Sequence, residues 1–201
     1  MKVYGNPLSP ATRTVLTTLA EKGKQAEFIL INFAEGAQKR PEHLARNPFG
    51  LVPVLEDDGF TLYESRAINR YLASRLPGPA LIPESTHARA RMEQFISIEQ
   101  SYLSPNVMTL VYAAVWRKYD QASIDNAKAN LKTPLDVAEA ALKDGPFFSG
   151  DSFSLADISW LPYVQYIFDR GAGDFVTSRP HLDAWWQRAS ARPSWIKANT
   201  P

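Results

Sequence analysis

Groups able to donate to an anion or bind a small ligand occur at three places in the N-terminal third of the chain. The first is Ser9, which precedes Pro10 and follows the short apolar segment 2–5. Ser followed by Pro is the usual order of a helix N-cap and first helical residue, so a structural cap is one interpretation. A hydroxyl that accepts a backbone N–H can still donate its own proton, and at a helix N-terminus that donor would face an anion. Local sequence leaves both interpretations of Ser9 open.

The second place is Val52-Pro53, at the start of an apolar segment. Proline has no N–H, so it is favoured at the first residue of a strand. The alternative is a cis peptide bond between the two residues, since cis bonds occur almost only before proline. A cis bond would turn the Val52 backbone outward, where its N–H and C=O could pair with a peptide-like ligand.

The third place is Glu64-Ser65, at the start of an amphipathic segment. Ser65 could be only a helix cap. The same helix N-terminus offers free N–H groups and the positive end of the helix dipole, which together with the Ser65 hydroxyl would bind a carboxylate. Glu64 could hold an ammonium group beside it. The pair therefore suits the α-amino acid end of a ligand.

The elements that must position these residues follow a βαβ–ββα order. In chain order they are strand 2–5, helix 10–22, strands 28–31, 52–55 and 60–63, and helix 65–75. The near-continuous apolar run 28–31 predicts a parallel strand buried on both faces, and Asp58-Gly59 predicts a tight hairpin. The order is that of an α/β thioredoxin-like N-terminal domain with a four-stranded mixed sheet, which we place at 1–76.

The remainder of the chain has helical periodicity and no convincing strand. Pro77-Gly78-Pro79 begins a linker, placed at 77–85, that is rich in residues that interrupt helices and strands. An all-α C-terminal domain is expected over 86–201. Its first helix is long, with a bend near Pro105. Ser154 and Asp157 have the spacing of a capping box.

Composition excludes several classes of function. The 22 basic and 21 acidic residues give a net charge of +1, which offers no electrostatic reason to expect nucleic acid or an anionic membrane as partner. No apolar run is long enough to span a bilayer and no signal-peptide pattern is present, so a cytoplasmic protein is expected. The three histidines are scattered, which predicts no metal site. Because the chain has no cysteine, any thiol chemistry must use a thiol brought by a ligand.

In their order along this frame, the motifs resemble those of the cytosolic glutathione transferases, most closely the phi class. The resemblance covers essentially the whole chain. It is carried by segments 5–13, 47–53, 64–71, 153–158 and 179–195. The most specific parts are Glu-Ser-Arg-Ala-Ile at 64–68 and the ending with paired Trp followed by Arg-Pro-Ser-Trp.

The resemblance implies a role for each of the three places. Ser9 takes the position of the catalytic serine whose hydroxyl hydrogen-bonds the glutathione sulfur. Val52 would pair its backbone with the cysteinyl moiety, ahead of a cis Pro53. Glu64 and Ser65 would hold the γ-glutamyl end.

The resemblance also implies contacts to the glycyl end of glutathione. Gln38 and Lys39 align with a His-Lys pair near the glycyl carboxylate, and Gln38 departs from the common His. Leu51 stands where the family often has Gln or Lys, and it offers no donor. We therefore expect Lys39 to carry the glycyl contact, with somewhat weaker glutathione binding.

The expected chemistry is attack of the glutathione thiolate, stabilised by Ser9, on a small hydrophobic electrophile, with glutathione as co-substrate and no permanently bound cofactor. The electrophile is expected in a cleft between the domains. Candidate contacts are Leu8, Phe33, Tyr112, Val115 and Trp116. Core packing is the alternative for the aromatic residues.

Alternative functions on the same frame are a glutathione-dependent isomerase, dehalogenase or peroxidase, or a non-catalytic glutathione-binding or scaffold module. The intact set of Ser9, Val52-Pro53 and Glu64-Ser65 argues against the scaffold. The family is usually a symmetric dimer, so a homodimer is expected.

Overall fold

The computed structural model of the chain describes residues 1–116 and 119–199, with Trp116 by its backbone alone. Two compact units are present. One contains Met1–Ala80 together with the C-terminal segment that begins at Arg192, and the other is Leu81–Ala191. The helical domain expected over 86–201 therefore differs from the helical unit at its C-terminal end.

The N-terminal unit is built on a mixed four-stranded sheet in the order β2-β1-β3-β4. Its strands are β1 (Lys2–Gly5), β2 (Glu27–Leu30), β3 (Val54–Asp57) and β4 (Phe60–Tyr63). β1 pairs in parallel with β2 and antiparallel with β3, and β3 pairs antiparallel with β4. The α/β thioredoxin-like fold class is thereby confirmed.

Helices complete this unit. They are α1 (Pro10–Glu21), α2 (Pro41–Leu44), α3 (Ser65–Arg75) and α10 (Pro193–Asn199), with 3₁₀ turns at Phe33–Glu35 and Ala37–Lys39. A core of aliphatic side chains joins α1 and α3 to the sheet, formed by Val3, Val15, Leu19, Leu55, Ile68 and Leu72. Burial of these side chains is the main favourable term for this half of the fold.

Strand β2 is not buried on both faces, so that prediction is wrong. It is an edge strand with one neighbour, β1, and the side chain of Leu30 is 58% exposed. A short apolar run shows that a segment is hydrophobic, but its position in the sheet depends on pairing with distant segments.

The C-terminal helix α10 packs on α1, and an ion pair and a hydroxyl hydrogen bond to Glu21 hold its N-terminal end there. Arg192 donates from Nε and Nη2 to the two carboxylate oxygens of Glu21, at 2.7 and 2.8 Å. The Ser194 hydroxyl donates to the same carboxylate. These contacts place α10 with the N-terminal unit rather than with the helices that precede it in sequence.

Among the residues that the structure describes in it, the second unit is built from helices joined by turns, with one isolated β-bridge between Phe147 and Gly150. Its helices are α4 (Thr86–Ile98), α5 (Ser104–Trp116), α6 (Gln121–Ala141), α7 (Leu155–Asp169), α8 (Asp174–Thr177) and α9 (Pro180–Ser190). A π-helical turn at Glu99–Leu103 joins α4 to α5. The irregular turn precedes Pro105, which has no N–H to continue an α-helical ladder.

Asp157 is the buried polar centre of the helical unit. Its Oδ2 accepts from the Ser154 N–H and hydroxyl at 2.9 and 3.0 Å, and its Oδ1 accepts from Phe148 N and Trp185 Nε1 at 3.1 and 2.8 Å. The predicted capping box of Ser154 and Asp157 is confirmed. Burial raises the pKa of Asp157 to about 6, against the opposing effect of these hydrogen bonds.

Candidate functional site

The three segments that hold Ser9, Val52-Pro53 and Glu64-Ser65 lie at the same end of the sheet. Val54, the first residue of β3, lies between Tyr4 near the end of β1 and Tyr63 at the end of β4. Ser9 follows β1 after a short loop, and Glu64 follows β4 directly. Because neighbouring strands are about 4.8 Å apart, the segments converge at this end of the sheet.

Asn6 organises the loop that carries Ser9. Its amide Nδ2 donates to Ile31 O at 2.8 Å, and its Oδ1 accepts from Leu8 N at 2.9 Å. Ser9 N donates to Asn6 O at 2.9 Å. Sequence reasoning did not single out Asn6, although an Asn whose side chain bonds the backbone two residues later is a recognised turn signal.

Ser9 is the N-cap of α1, and its hydroxyl keeps a free proton. Oγ accepts from Thr12 N at 3.3 Å, and the residue is only 8% exposed. The Ser9 hydroxyl donates to no residue in the described part of the chain. The cap interpretation is therefore correct, and it leaves the donor needed by the second interpretation.

The peptide bond between Val52 and Pro53 is cis, which confirms that alternative. The carbonyl of Leu51, one residue earlier, accepts from His43 Nε2 at 2.8 Å and from Asn47 Nδ2 at 2.9 Å. The Val52 N–H has no hydrogen-bond partner within residues 1–116 and 119–199. This segment thus presents a free backbone donor beside Ser9 and Glu64.

Glu64 and Ser65 have side chains with no hydrogen bond to any described residue. Glu64 occupies the N-cap position of α3 with φ +69° and ψ 106°, a conformation that a non-glycine residue rarely adopts. Ser65 is the first helical residue, so its interpretation as a cap is wrong. Strain of this kind persists where surrounding structure enforces it and is concentrated at ligand-binding sites.

Gln38 and Lys39 lie against the segment that leads into Leu51. Lys39 Nζ donates to Phe49 O at 3.0 Å. A Cβ on Gly50 would come within 2.8 Å of both Gln38 O and Lys39 Nζ, so this close approach requires glycine. The amide Oε1 of Gln38 is buried, with no hydrogen-bond partner in residues 1–116 or 119–199. The structure therefore brings both residues beside Phe49 and Gly50, which precede Leu51 in the chain.

Arg46 ties the helix α2 region to the sheet. Its Nε donates to Glu56 Oε1 at 2.8 Å, its Nη1 donates to Glu42 O at 2.7 Å, and its guanidinium lies 4.4 Å from the centre of the Tyr4 ring. Tyr4 also donates to Glu56. Burial would raise the pKa of Glu56, but these hydrogen bonds outweigh it and hold that pKa below its ordinary value. His43, Asn47 and Arg46 were missed at the sequence level because their partners are distant or backbone atoms.

The candidate electrophile contacts fall in both units. In the N-terminal unit, Leu8 is exposed in the loop before Ser9, and Phe33 packs on a buried cluster that includes Tyr4. In the helical unit, Tyr112 is half-buried and Val115 is exposed on α5. Burial raises the pKa of the Tyr112 hydroxyl, and the nearby Tyr119 adds to it.

The side chain of Trp116 lies outside the described residues. A cavity of about 650 Å³ opens in the helical unit between α4, α6 and the turn at 144–150. Of the candidates that can be placed, neither Tyr112 nor Val115 lines it.

Two negative findings concern metals and membranes. Within residues 1–116 and 119–199, no three His, Asp or Glu side chains are grouped as a metal ion would require. No described helix has the length and apolar character needed to cross a bilayer.

Comparison with known proteins gives matches along nearly the whole chain. The family model described as glutathione S-transferase, N-terminal domain, matches residues 1–74, and the corresponding C-terminal domain model matches residues 102–193. Glutathione S-transferase 3 of Zea mays is 38% identical over 206 residues, covering 98% of this chain and 92% of the relative.

Solved structures agree in fold. Glutathione transferase F7 from Populus trichocarpa aligns with a TM-score of 0.92 at 38% identity, covering 98% of this chain and 96% of that one. Glutathione S-transferase I from mais, solved in complex with an atrazine glutathione conjugate, aligns with a TM-score of 0.89 at 33% identity, covering 98% and 95%.

Proposed function

This chain belongs to the glutathione S-transferase family, and from that premise we propose that it joins the thiolate of glutathione to small hydrophobic electrophiles. The resemblance seen in the sequence is confirmed, including its likeness to the plant phi class. The observation that carries the mechanism is the Ser9 hydroxyl at the N-terminus of α1, which donates to no described residue, in a chain that has no cysteine of its own.

The energy required of Ser9 is modest. A free thiol has a pKa of about 8.5, so only a few per cent is ionised at neutral pH. Lowering that pKa by about two units corresponds to about 2.7 kcal/mol. A hydrogen bond to a charged group contributes about 1.5–3 kcal/mol, and the α1 N-terminus adds about 0.3–1 kcal/mol. Ser9 therefore needs no general base to hold the ligand as thiolate.

The remaining polar groups hold the glutathione peptide. The Val52 backbone pairs with the cysteinyl moiety ahead of Pro53, and the free N–H supports this role. Glu64 binds the γ-glutamyl ammonium and Ser65 its carboxylate, because both side chains lack protein partners among the described residues.

At the glycyl end, Lys39 keeps two ammonium hydrogens beyond its bond to Phe49 O and can bind a carboxylate. Gln38 lies beside it, and Leu51 contributes no donor. The glycyl end is therefore the weakest part of the binding site.

The electrophile is bound by apolar contacts. From the N-terminal unit we propose Leu8 and Phe33, and from the helical unit Tyr112, Val115 and Trp116. The mais relative was solved with an atrazine glutathione conjugate. A chlorinated aromatic heterocycle is accordingly the first electrophile to test, alongside isomerisable and peroxide substrates that would reveal the alternative reactions.

A homodimer is the proposed assembly. Phe49 packs edge-on against Tyr63 yet remains 62% exposed, which leaves an apolar side chain for a second copy to cover. Sedimentation equilibrium should give twice the chain mass of 22.5 kDa. A concentration-independent mass of one chain would contradict the dimer.

Substitution Ser9→Ala tests the mechanism. We expect kcat/KM to fall about 10–100-fold, because one hydrogen bond to the thiolate is lost. The pKa of bound glutathione, followed by the ultraviolet absorbance of the thiolate, should rise by about one to two units for the same reason. Substitution Asp120→Ala is the matched control, since it also removes an N-cap bond, to Ser123 N at 2.8 Å. Unchanged conjugation in Ser9→Ala would show that Ser9 is only a cap.

A further inference from the structure

We propose that His43 is a positioning residue for glutathione: it holds the Leu51 carbonyl so that the Val52 N–H faces the cysteinyl carbonyl of the ligand. The inference rests on the proposed function, because it concerns the same binding site. It adds a residue whose side chain does not touch the ligand.

The Leu51 carbonyl is held by two donors. His43 Nε2 lies 2.8 Å from Leu51 O, and Asn47 Nδ2 donates to the same oxygen at 2.9 Å. A carbonyl oxygen only accepts, so the hydrogen of the imidazole is on Nε2. Two bonds use both lone pairs of the oxygen and fix the direction of the carbonyl.

The direction of that carbonyl sets the direction of the Val52 N–H. The bond between Leu51 and Val52 is a trans peptide, in which C=O and N–H point to opposite sides of a rigid plane. With Leu51 O directed at His43, the N–H is directed away from α2. It finds no partner in the described part of the chain and is available to a ligand carbonyl.

His43 is itself rigidly placed. It is 3% exposed, its N–H donates to Arg40 O at 3.0 Å, and its carbonyl accepts from Asn47 N at 2.9 Å. Arg46 joins the same turn to Glu56 on β3. The donor atom Nε2 therefore has a fixed position relative to the sheet that carries the rest of the site.

The second ring nitrogen of His43 indicates that packing alone does not explain a histidine at this position. Nδ1 is buried and has no hydrogen-bond partner among the residues that the structure describes, and a buried polar atom without a partner costs free energy. An apolar residue would fill this space without that cost. The bond from Nε2 to Leu51 O is the feature that an apolar residue could not supply.

Two variants test the hydrogen bond from Nε2 to Leu51 O separately from the volume that the imidazole ring fills. His43→Leu fills much of the space and has no donor, whereas His43→Gln can place an amide N–H where Nε2 lies. In His43→Leu we expect the Kd for glutathione to rise about tenfold and kcat to change less than about twofold, since a single backbone contact to the ligand is misaligned. His43→Gln should restore binding to within about twofold of the parent protein. His87→Leu, an exposed histidine on α4, is the control.

The ligand γ-glutamyl-α-aminobutyryl-glycine has glutathione's peptide and no thiol. Its affinity for His43→Leu shows whether the weakened contact is to the peptide or to the thiol. His43→Leu should weaken its binding by the same factor as that of glutathione, because the lost contact is to the peptide. Equal affinities in His43→Leu and the parent protein would overturn the proposal, as would equal losses in the Leu and Gln variants.

If His43→Leu does not fold, the parent protein still gives a test. Glutathione should shift the ¹⁵N–¹H resonance of Val52 and slow its hydrogen exchange. A Val52 amide that is unchanged at saturating glutathione overturns the proposal while the proposed function stands. Failure of the parent protein to bind either peptide would instead remove the proposed function itself.

Discussion

Arg192 and Glu21 lie 171 residues apart in sequence and form a bidentate ion pair, with N–O distances of 2.7 and 2.8 Å. The Glu21 side chain is almost fully buried by this contact. Two parallel N–H donors on one carboxylate are the strongest form of such a pair. The contact fixes the last helix of the chain on the first helix, which also carries Ser9 at its N-terminus.

Substitution Glu21→Gln should lower the free energy of unfolding by about 1–3 kcal/mol at neutral pH, because two charge-assisted hydrogen bonds are weakened. Burial would raise the pKa of Glu21, but Arg192 and Ser194 outweigh it and lower the pKa below its ordinary 4.5. A lowered folded-state pKa stabilises the fold above the unfolded value and loses that stabilisation as pH falls through the folded value. Urea unfolding at pH 7 and below pH 4.5 should show the difference between the two proteins shrinking in acid.

The control for this prediction is Glu35→Gln. Glu35 pairs with Arg40 on the surface, where an ion pair contributes little. A loss in Glu35→Gln as large as that in Glu21→Gln would contradict the assigned role of the buried pair.

At pH 7, substitution Asp157→Asn should lower the free energy of unfolding by about 2–4 kcal/mol, because an amide NH₂ must then face one of the buried donors. The pKa of Asp157 is raised from 3.8 to about 6, so the folded state binds a proton more tightly than the unfolded state between those values. The contribution of this group to stability therefore falls as pH rises from about 4 to 6 and is constant above. Over that pH range the contribution of Asp157 to the free energy of unfolding should fall by on the order of 3 kcal/mol.

Denaturant unfolding across that pH range measures both effects. The difference between the parent protein and Asp157→Asn should be largest at the acid end. Asp125→Asn, on the exposed face of α6, should show neither effect. A difference that is independent of pH would mean that burial does not raise this pKa.

Substitution Ser65→Ala should weaken glutathione binding about 10–100-fold, because a hydrogen bond to the ligand carboxylate is lost. The unfolding free energy should change by less than about 0.5 kcal/mol, since the Ser65 hydroxyl has no partner in the described residues. Isothermal titration with glutathione and a parallel urea titration check the two parts. Ser97→Ala on α4 is the control, and a stability loss without a binding loss would place Ser65 outside the site.

Substitution Leu51→Gln should tighten glutathione binding about three- to tenfold, by adding a donor for the glycyl carboxylate. The Leu51 side chain is 56% exposed, and the backbone bonds from His43 and Asn47 do not depend on it. Stability should therefore be unchanged. Leu51→Met controls for removal of the branched side chain, and no gain of affinity in Leu51→Gln would show that the glycyl end lies elsewhere.

Features set by neighbouring residues were predictable from the sequence. Asp58 and Gly59 adopt the positive φ angles, 48° and 83°, that their hairpin signal predicts. Ser9 and Ser154 are N-caps for the same reason, since a cap needs only the residues that follow it. These elements depend on contacts within a few residues, which a single sequence records directly.

Features set by distant contacts were not predictable. The exposed edge position of β2 depends on which strands pair with β1. The docking of α10 depends on Glu21, and the role of His43 depends on a carbonyl eight residues later. A backbone acceptor has no side-chain signature, so no spacing rule could have identified it.

The sequence by itself determined that any reactive thiol must come from a ligand, because the chain has no cysteine, and it located the hydroxyls and carboxylate that could receive that ligand. Tertiary structure decided which of these groups remain unpaired. Within the described part of the chain, the Ser9 hydroxyl proton and the Val52 N–H have no hydrogen-bond partner, whereas the Leu51 carbonyl accepts two hydrogen bonds. That distinction depends on three-dimensional hydrogen bonding, since every polar group in the chain could pair until the fold assigns its partners.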